Sequence, residues 1–275
     1  MNLLVTGVAG YTGGRLFALA GAAGWLVAGT YHRRVPDPAD AGRQRYRLDV
    51  RDRDAVAALV RRLRPDAVVH TAYAQDDWVS TAAGAAHVAL AAREVGARLV
   101  HVSSDAIFAG RPEPYTEVDV PAPVYPYGAA KAAAEVAVRA IDPAAAIVRT
   151  ALIVGDSGSK HHRLAVDLAT GRAGGALFTD EVRCPVSVDD LAAALLELAG
   201  GDFAGVLNVA GPQAVTRHEL GRMIAVAHGL DPDRIPAGTG AAQGGARPGE
   251  LRLDVTLASR VLATRLRPVR EVLAA

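Results

Sequence analysis

Tyr127 and Lys131 are the two side chains in this sequence that best suit proton transfer. They lie four apart at the start of an Ala-rich run, 129–140, which also carries Glu135 and Arg139 and therefore predicts a helix. Residues four apart lie on one face of a helix. A neighbouring ammonium group stabilises a phenolate, so we expect Lys131 to lower the pKa of Tyr127 and Tyr127 to donate a proton.

Lysine is scarce in this sequence, which contains only Lys131 and Lys160 beside many arginines. The lysine ammonium is a compact cation whose pKa shifts readily, whereas arginine stays charged. The use of lysine next to Tyr127 therefore favours a functional pair. The alternative is a surface tyrosine beside a solvated lysine.

Two serines follow the predicted strand at 98–102. Ser103 and Ser104 stand at its carboxyl end, and Asp105 comes next. Ligands of open α/β sheets bind at the carboxyl ends of the strands. A hydroxyl group there can polarise a carbonyl while Tyr127 protonates it, so we interpret Ser104 as the orienting residue. We interpret Ser103 as an ordinary capping residue.

The N-terminal segment predicts a dinucleotide-binding loop. An apolar strand at 3–5 is followed by G-x-x-G-x-x-G and then by a helical pattern over 15–22. Such glycines permit a tight turn, a close approach of the backbone to a pyrophosphate, and packing of the helix on the strand. Glycine spacing alone is weak evidence, but its place after a strand strengthens it. The contacts expected from this loop are Gly7, Gly10, Tyr11, Thr12 and Gly13.

The end of the predicted second strand, 25–30, indicates a phosphorylated cofactor. An acidic residue there binds the ribose 2′-hydroxyl of NAD, whereas a basic one accommodates the 2′-phosphate of NADP. The chain carries His32, Arg33 and Arg34, with no carboxylate before Asp37. We therefore expect NADPH, with NADH as the alternative cofactor and a basic surface loop as the alternative interpretation. Arg33 is the expected phosphate contact, and Arg34 points the other way if the strand pleat continues.

The alternation of strands and helices predicts an α/β fold with a Rossmann-type, doubly wound parallel sheet. Residues 1–155 are expected to form the dinucleotide-binding core that carries the candidate catalytic residues. Residues 156–275 are expected to form a smaller, mainly substrate-binding C-terminal lobe that interleaves with the sheet edge. Further cofactor contacts are expected where the strands predicted at 45–50 and 67–70 end, at Asp49, Val50, Thr71, Ala72 and Tyr73.

The composition argues against several classes of protein. With 30 basic and 29 acidic residues the net charge is +1, which does not favour nucleic-acid binding. The single cysteine, Cys184, allows no internal disulfide and suits a reducing compartment. No cluster has metal-ligand spacing, no signal-peptide pattern is visible, and no apolar run reaches the roughly 20 residues that span a bilayer. We expect a cytoplasmic protein without a metal, membrane or nucleic-acid partner.

Together these motifs resemble the extended short-chain dehydrogenase/reductase family, and within it the dTDP-4-dehydrorhamnose reductase branch. Residues 103–110, SSDAIFAG, are similar to that branch's S-T-D-x-V-F-x-G. Residues 114–131 are similar to its P-Y-x-E-x-D…P…Y-G-x-S-K, and 184–192 to its P-T-x-x-x-D-L-A. The resemblance implies NADPH-dependent reduction of a keto sugar nucleotide. Tyr127 would be the acid, and Lys131 would hold the cofactor ribose.

Departures from the branch lie mainly in the half that is expected to bind the sugar. Leu152 replaces the Trp of R-T-S-W-V-Y-G, and 156–162 replaces an N-F segment. The element N-A-A-A-Y-T reads H-T-A-Y-A-Q at 70–75. The substrate contacts that the resemblance implies are Ser104, Asp105, Tyr127, Leu152 and Arg183.

Two other functions stay open at this point. One is a sugar-nucleotide epimerase or dehydratase that retains NAD. The other is a non-catalytic nucleotide-binding subunit, because the branch also resembles the regulatory subunit of methionine adenosyltransferase. A homodimer is a further expectation.

Overall fold

The computed structural model of the protein describes residues 1–35, 44–240 and 247–274, so Asp37 lies outside the described residues. The strands are β1 (Asn2–Thr6), β2 (Leu26–Tyr31), β3 (Gln44–Arg47), β4 (Ala67–His70), β5 (Arg98–Val102), β6 (Ala146–Arg149), β7 (Ile153–Val154), β8 (Leu177–Phe178), β9 (Val182–Arg183), β10 (Val186–Ser187), β11 (Gly205–Asn208), β12 (Val215–Thr216) and β13 (Ala237–Gly238). The helices are α1 (Tyr11–Ala22), α2 (Arg53–Leu63), α3 (Gly84–Val95), α4 (Pro126–Ile141), α5 (Lys160–Ala169), α6 (Val188–Gly200), α7 (Arg217–Ala227), α8 (Ala258–Val261) and α9 (Val269–Ala274).

Seven of these strands form one parallel sheet in the order β11-β6-β5-β4-β1-β2-β3. Helices cover both faces, because successive strand side chains point to opposite sides. Along β5, Leu99 packs with α2, α3 and α4, whereas Val100 packs with α1 and α6. The predicted α/β fold with a Rossmann-type sheet is confirmed. None of the described helices has the length and apolar character needed to cross a bilayer.

The segment after residue 155 returns to the main sheet. Strand β11 pairs with β6, and α6 packs against α1. Its other strands form two-residue ladders, in which β10 pairs with β7, β12 with β9, and β13 with β8. The division at residue 155 stays a prediction, and these pairings show that part of 156–275 belongs to the central sheet.

The predicted strands at 67–70 and 98–102 coincide with β4 and β5. The strand predicted to reach Val50 ends at Arg47, so Asp49 and Val50 follow it in a loop. Helix α9 and most of the two-residue strands were not predicted. Such short strands have no detectable periodicity, because they are defined only by their pairing with distant segments.

A buried ion pair ties α4 to β6. Arg149 Nη2 lies 2.9 Å from Glu135 Oε2, and the two side chains are 2% and 3% exposed. Arg149 Nη1 also donates to the carbonyl oxygens of Glu117 and Asp119, at 3.2 and 3.3 Å. These bonds fix both the helix that carries Tyr127 and the loop that precedes it.

Replacing Arg149 by Met should lower the free energy of unfolding by about 3–5 kcal/mol, because the Glu135 carboxylate would stay buried without its partner. Denaturant-induced unfolding measures this loss. Arg61→Met is the matched control, since it breaks an exposed pair with Glu94 and should change stability little. Equal losses in the two variants would contradict the importance of the buried pair.

Candidate active site

The glycine loop between β1 and α1 has the backbone geometry of an anion-binding turn. Gly7 adopts φ +81°, which favours glycine. A Cβ on Gly13 would lie 2.4 Å from the Gly7 carbonyl oxygen, so no larger residue fits there. Gly10 precedes α1 and provides no side chain to cap its first turn. The free N–H groups at the start of the helix are therefore available to a phosphate.

A cleft of about 220 Å³ runs along the carboxyl ends of the strands beside this loop. The expected cofactor contacts that line it are Gly7, Gly10, His32, Arg33, Arg34, Asp49, Val50, Thr71, Ala72 and Tyr73. Lining residues that the sequence analysis missed are Ala9, Thr30, Tyr31, Leu48, Ala74 and Ser80. Half of these are apolar, and Thr30, Tyr31, Leu48 and Ala74 could have been indicated only by their places near the ends of strands.

Tyr11, Thr12 and Gly13 lie in α1 and do not line the cleft. The Tyr11 hydroxyl accepts a 2.9 Å hydrogen bond from the backbone N–H of Asp156. A Cβ on Gly155 would lie 2.5 Å from that hydroxyl, so the two surfaces pack closely. Burial raises the pKa of Tyr11 to about 12. Tyr11 thus joins α1 to the loop after β7 in this structure, rather than lining the cleft as expected.

The basic segment after β2 does not follow the expected pleat. Strand β2 ends at Tyr31, and the next residues form a bend. The Arg34 guanidinium donates to the Ala9 carbonyl oxygen in the glycine loop. Arg34 was expected to point away only if the strand pleat continued, and that condition is not met, because β2 ends at Tyr31. Both Arg33 and Arg34 line the cleft.

A carboxylate that the sequence analysis did not place near this basic segment also lies in the cleft. Asp49 Oδ2 is 3.4 Å from His32 Nε2 and 2.7 Å from Arg51 Nη2. Hydrogen bonds from Arg51 hold the pKa of Asp49 down to about 2. Asp49 is therefore ionised at neutral pH, and Arg51 balances its charge.

Lys131 is buried one turn after Tyr127 in α4, with 4% of its surface exposed. Its Nζ donates to the Val102 carbonyl oxygen at 2.9 Å and lies 4.7 Å from the centroid of the Tyr73 ring. Burial lowers the pKa of Lys131 to about 8, and the nearby Glu135 carboxylate opposes this shift.

The Tyr127 phenol is protonated at neutral pH. Burial raises its pKa well above the ordinary value, while a hydrogen bond with Ser104 acts in the opposite direction. The expectation that Lys131 lowers the pKa of Tyr127 is wrong for this structure, because the ammonium group is bonded to the Val102 carbonyl and desolvation of the phenol dominates. A protonated phenol is the form that donates a proton.

Ser104 both caps the turn at Asp105–Ile107 and interacts with Tyr127. Its hydroxyl accepts from the backbone N–H of Ala106 at 3.2 Å and donates to Asp105 Oδ1 at 3.1 Å. Ser103, which we expected to cap, is buried, and its hydroxyl has no hydrogen-bond partner among the described residues. The capping expectation was therefore placed on the wrong serine, because the turn begins at Asp105 and the residue directly before it is Ser104.

Asp105 and Arg183 face each other below this site, with 3.9 Å between Oδ2 and Nε. Burial raises the pKa of Asp105, and the Arg183 guanidinium opposes the shift. Arg183 also donates to the carbonyl oxygens of Val182, Gly249 and Pro248, at 2.8, 2.6 and 2.9 Å. Its donors therefore hold the loop at 248–249, and the expected contact of Arg183 with substrate stays a prediction.

Leu152 does not reach the cofactor cleft. It lines a second, smaller cavity together with His161 and Arg217. Residues around that cavity are largely apolar, including Leu177 and Leu220. Whether Leu152 contacts substrate stays a prediction.

Three arginines surround the buried Glu181 carboxylate. Arg183 and Arg217 approach it to 3.6 and 3.5 Å, and Arg247 approaches it to 3.5 Å. This arrangement leaves a surplus of positive charge between the C-terminal segment and the Asp105 turn. The sequence analysis missed Arg217 and Arg247, because no sequence pattern links them to the loop that carries Glu181.

The parallel sheet, the glycine loop and the Ser104–Tyr127–Lys131 group define a protein of the extended short-chain dehydrogenase/reductase type. The model of one family, described as the RmlD substrate binding domain, matches residues 1–275. This chain belongs to that family.

Named relatives share much of the chain. A dTDP-4-dehydrorhamnose reductase of Mycobacterium tuberculosis (strain CDC 1551 / Oshkosh) is 35% identical over 243 residues, which are 85% of this chain and 78% of the relative. A dTDP-4-keto-6-deoxy-D-glucose reductase of Streptomyces niveus is 33% identical over 84% of this chain and 80% of its own. The crystal structure of dTDP-4-dehydrorhamnose reductase from Bacillus anthracis in complex with NADP has a TM-score of 0.85 and 24% identity, over 99% of this chain and 96% of that one.

The pKa of Lys131 can be measured directly, because the chain contains only one other lysine, Lys160. NMR titration of isotope-labelled lysine side chains should show Lys131 titrating near pH 8, with Lys160→Arg identifying the signal. A Lys131 signal that titrates near the ordinary value of 10.5 would contradict the burial argument.

The same shift predicts a dependence of stability on pH. Between about pH 8 and 10.5 the unfolded state binds the Lys131 proton and the folded state does not. The free energy of unfolding of the wild type should therefore rise with pH across this window, relative to Lys131→Met. A difference between the two proteins that stays constant or falls would show that Lys131 is not desolvated.

Proposed function

We propose that this protein is an NADPH-dependent reductase that converts a keto group of a nucleoside diphosphate 4-keto sugar to an alcohol. The observation that carries the proposal is the position of a protonated, half-buried Tyr127 phenol, whose ring packs beside that of Tyr73, a residue that lines the cleft. The reductases of M. tuberculosis and S. niveus support the substrate class.

The residues of the cleft suit a phosphorylated dinucleotide. The glycine loop and the N-terminus of α1 are suited to the diphosphate, and a side chain on Gly13 would push α1 away from this loop. His32, Arg33 and Arg34 lie at the expected position of a ribose 2′-phosphate. When bound, the cofactor supplies a hydride from its nicotinamide ring.

The chemistry that this chain supplies is proton transfer and orientation. The Tyr127 hydroxyl gives its proton to the carbonyl oxygen as that oxygen becomes an alkoxide. Once it turns from Asp105 towards the substrate, the Ser104 hydroxyl donates a hydrogen bond to the same oxygen and thereby orients it. Lys131, one helical turn away, uses one of its N–H donors on the Val102 carbonyl and keeps the others for the cofactor ribose.

The surplus cations suit the diphosphate of the substrate. Arg217 and Arg247 both reach Glu181, and their side chains are 23% and 47% exposed. Paired, charge-assisted hydrogen bonds from guanidinium groups are well matched to phosphate oxygens. The expected homodimer and cytoplasmic location stay predictions.

The proposal is tested by following NADPH oxidation with a panel of keto sugar nucleotides. The wild type should oxidise NADPH with at least one of them, and Tyr127→Phe should lower turnover by roughly 10²–10⁴-fold, because the proton donor is lost. NADPH affinity of the variant should stay close to that of the wild type. Near-normal turnover by Tyr127→Phe would refute the assignment of the acid, and NAD that co-purifies in stoichiometric amounts would favour an epimerase or dehydratase.

Cofactor preference should depend on the two arginines of the basic bend. Arg33→Ala and Arg34→Ala should each weaken NADPH binding by roughly 10- to 100-fold, because a charge-assisted bond contributes about 1.5–3 kcal/mol. Binding of NADH should change little, since it has only a hydroxyl at that position. Fluorescence titration of both cofactors measures this, with Arg61→Ala as a control for a distant exposed arginine. Equal losses for NADPH and NADH would mean that the arginines do not recognise the phosphate.

A further inference from the structure

The Lys131 ammonium group is closed off from solvent in this structure. Only 4% of the residue's surface is exposed, and its Nζ donates to the Val102 carbonyl oxygen at 2.9 Å. The ionisable groups that interact electrostatically with it are Glu135, His70 and His101, and each of them is exposed by 2% or less. These neighbours belong to the protein interior, so a cofactor ribose cannot approach Lys131 through them.

Tyr73 differs from these neighbours, because it covers Lys131 and is itself open to solvent. Its ring centroid lies 4.7 Å from Lys131 Nζ and 5.6 Å from the centroid of the Tyr127 ring. The residue is 48% exposed and lines the cleft just after β4. The Tyr73 ring therefore lies on the side of Lys131 from which a cofactor in the cleft would approach.

The lining of the cleft leads to the same conclusion. Among the described residues, the lining includes Thr71, Ala72 and Tyr73 but neither Tyr127 nor Lys131. The space beside the glycine loop is thus separated from the proton donor, and Tyr73 contacts both. Hydride transfer from a cofactor in the cleft requires this separation to be removed.

The contact between Tyr73 and Lys131 is an attraction that a ribose has to replace. A cation over an aromatic face is attracted by the ring quadrupole, and the attraction is stronger when the pair is desolvated. Lysine has three N–H donors, and the Val102 carbonyl takes one of them. The Tyr73 ring and the ribose hydroxyls therefore compete for the others.

We propose that Tyr73 is a gate between the cofactor cleft and Lys131. In the closed position its ring covers the ammonium group. In the open position the ring turns away, and the ribose hydroxyls of NADPH take its place. The adenosine half of the cofactor binds without this movement, because the glycine loop and the basic bend are open to the cleft. Tyr73 acts through Lys131 and is therefore a positioning residue.

This role rests on the proposed function, in which NADPH occupies the cleft and Lys131 holds its ribose. In the element of the branch that resembles residues 70–75, alanine stands at the position of Tyr73. The gate is thus a feature of this chain that the resemblance does not imply.

Replacing Tyr73 by Ala removes the ring and tests the gate by binding alone. A closed ring lowers the apparent affinity for NADPH by the fraction of molecules that are open. Tyr73→Ala should therefore bind NADPH roughly 2- to 30-fold more tightly than the wild type, the range that corresponds to a cation–π contact. Affinity for adenosine 2′,5′-bisphosphate, which lacks the nicotinamide half, should not change. Tyr73→Phe keeps the ring and should retain the wild-type affinities. Isothermal titration calorimetry measures both ligands.

The position of the ring can also be followed at Lys131 itself, because an aromatic ring shifts the NMR signals of protons that lie over its face. In the free wild type, the ε-methylene signal of labelled Lys131 should lie upfield of its position in Tyr73→Ala. Saturating NADPH should remove this upfield shift, whereas adenosine 2′,5′-bisphosphate should leave it. Lys160→Arg identifies the signal.

Tyr125→Ala is the matched control, since it removes another ring, 6.2 Å from that of Tyr127, and leaves Tyr73 in place. It should change neither the affinity for NADPH nor the Lys131 signal. Unchanged or weaker NADPH binding by Tyr73→Ala would overturn the gate, and so would an upfield shift that persists with NADPH bound. A wild type that binds neither ligand would refute the proposed cofactor and the gate with it. Failure of the reductase proposal is seen separately, as an absence of NADPH oxidation with every keto sugar nucleotide.

Discussion

The buried ion pair of Glu135 and Arg149 is the interaction on which the arrangement of the site depends. Buried charges are tolerated only when they are paired closely and their remaining donors are also satisfied. Here the carboxylate takes two guanidinium nitrogens, and Arg149 uses a third on the loop at 117–119. One contact thus anchors α4 to the sheet and holds the chain that leads into it. Because Tyr127 and Lys131 lie on α4, their positions depend on this ion pair.

Burial of α4 against the sheet also decides the electrostatics of the site. The same desolvation raises the pKa of Tyr127 and lowers the pKa of Lys131. A phenol that stays protonated until a carbonyl oxygen becomes basic is suited to reduction. On the other side of the site, the arginines around Glu181 offer positive charge to an anionic substrate. In the proposed reductase, one half transfers the proton and the other half binds the substrate.

The fold follows from patterns that are visible in the sequence alone, and so do the candidates for the central residues of the site. Strands β4 and β5 were predicted to the residue, because continuous apolar runs bounded by turn residues are local signals. The glycine loop and the Tyr127–Lys131 pair were found for the same reason, since both depend on spacing along a single element. Most of the predicted cofactor contacts line one cleft, because strand ends meet at a common edge.

Only the tertiary structure decided which partner each of these residues has. Arg34 contacts Ala9, and Tyr11 contacts Asp156, across separations that no local pattern encodes. Arg183 is occupied by the backbone of the 248–249 loop rather than left free for a ligand. The direction of the Tyr127 pKa shift was likewise hidden from the sequence. Charge pairs can be inferred from spacing along a helix, but desolvation depends on every element that packs around a side chain.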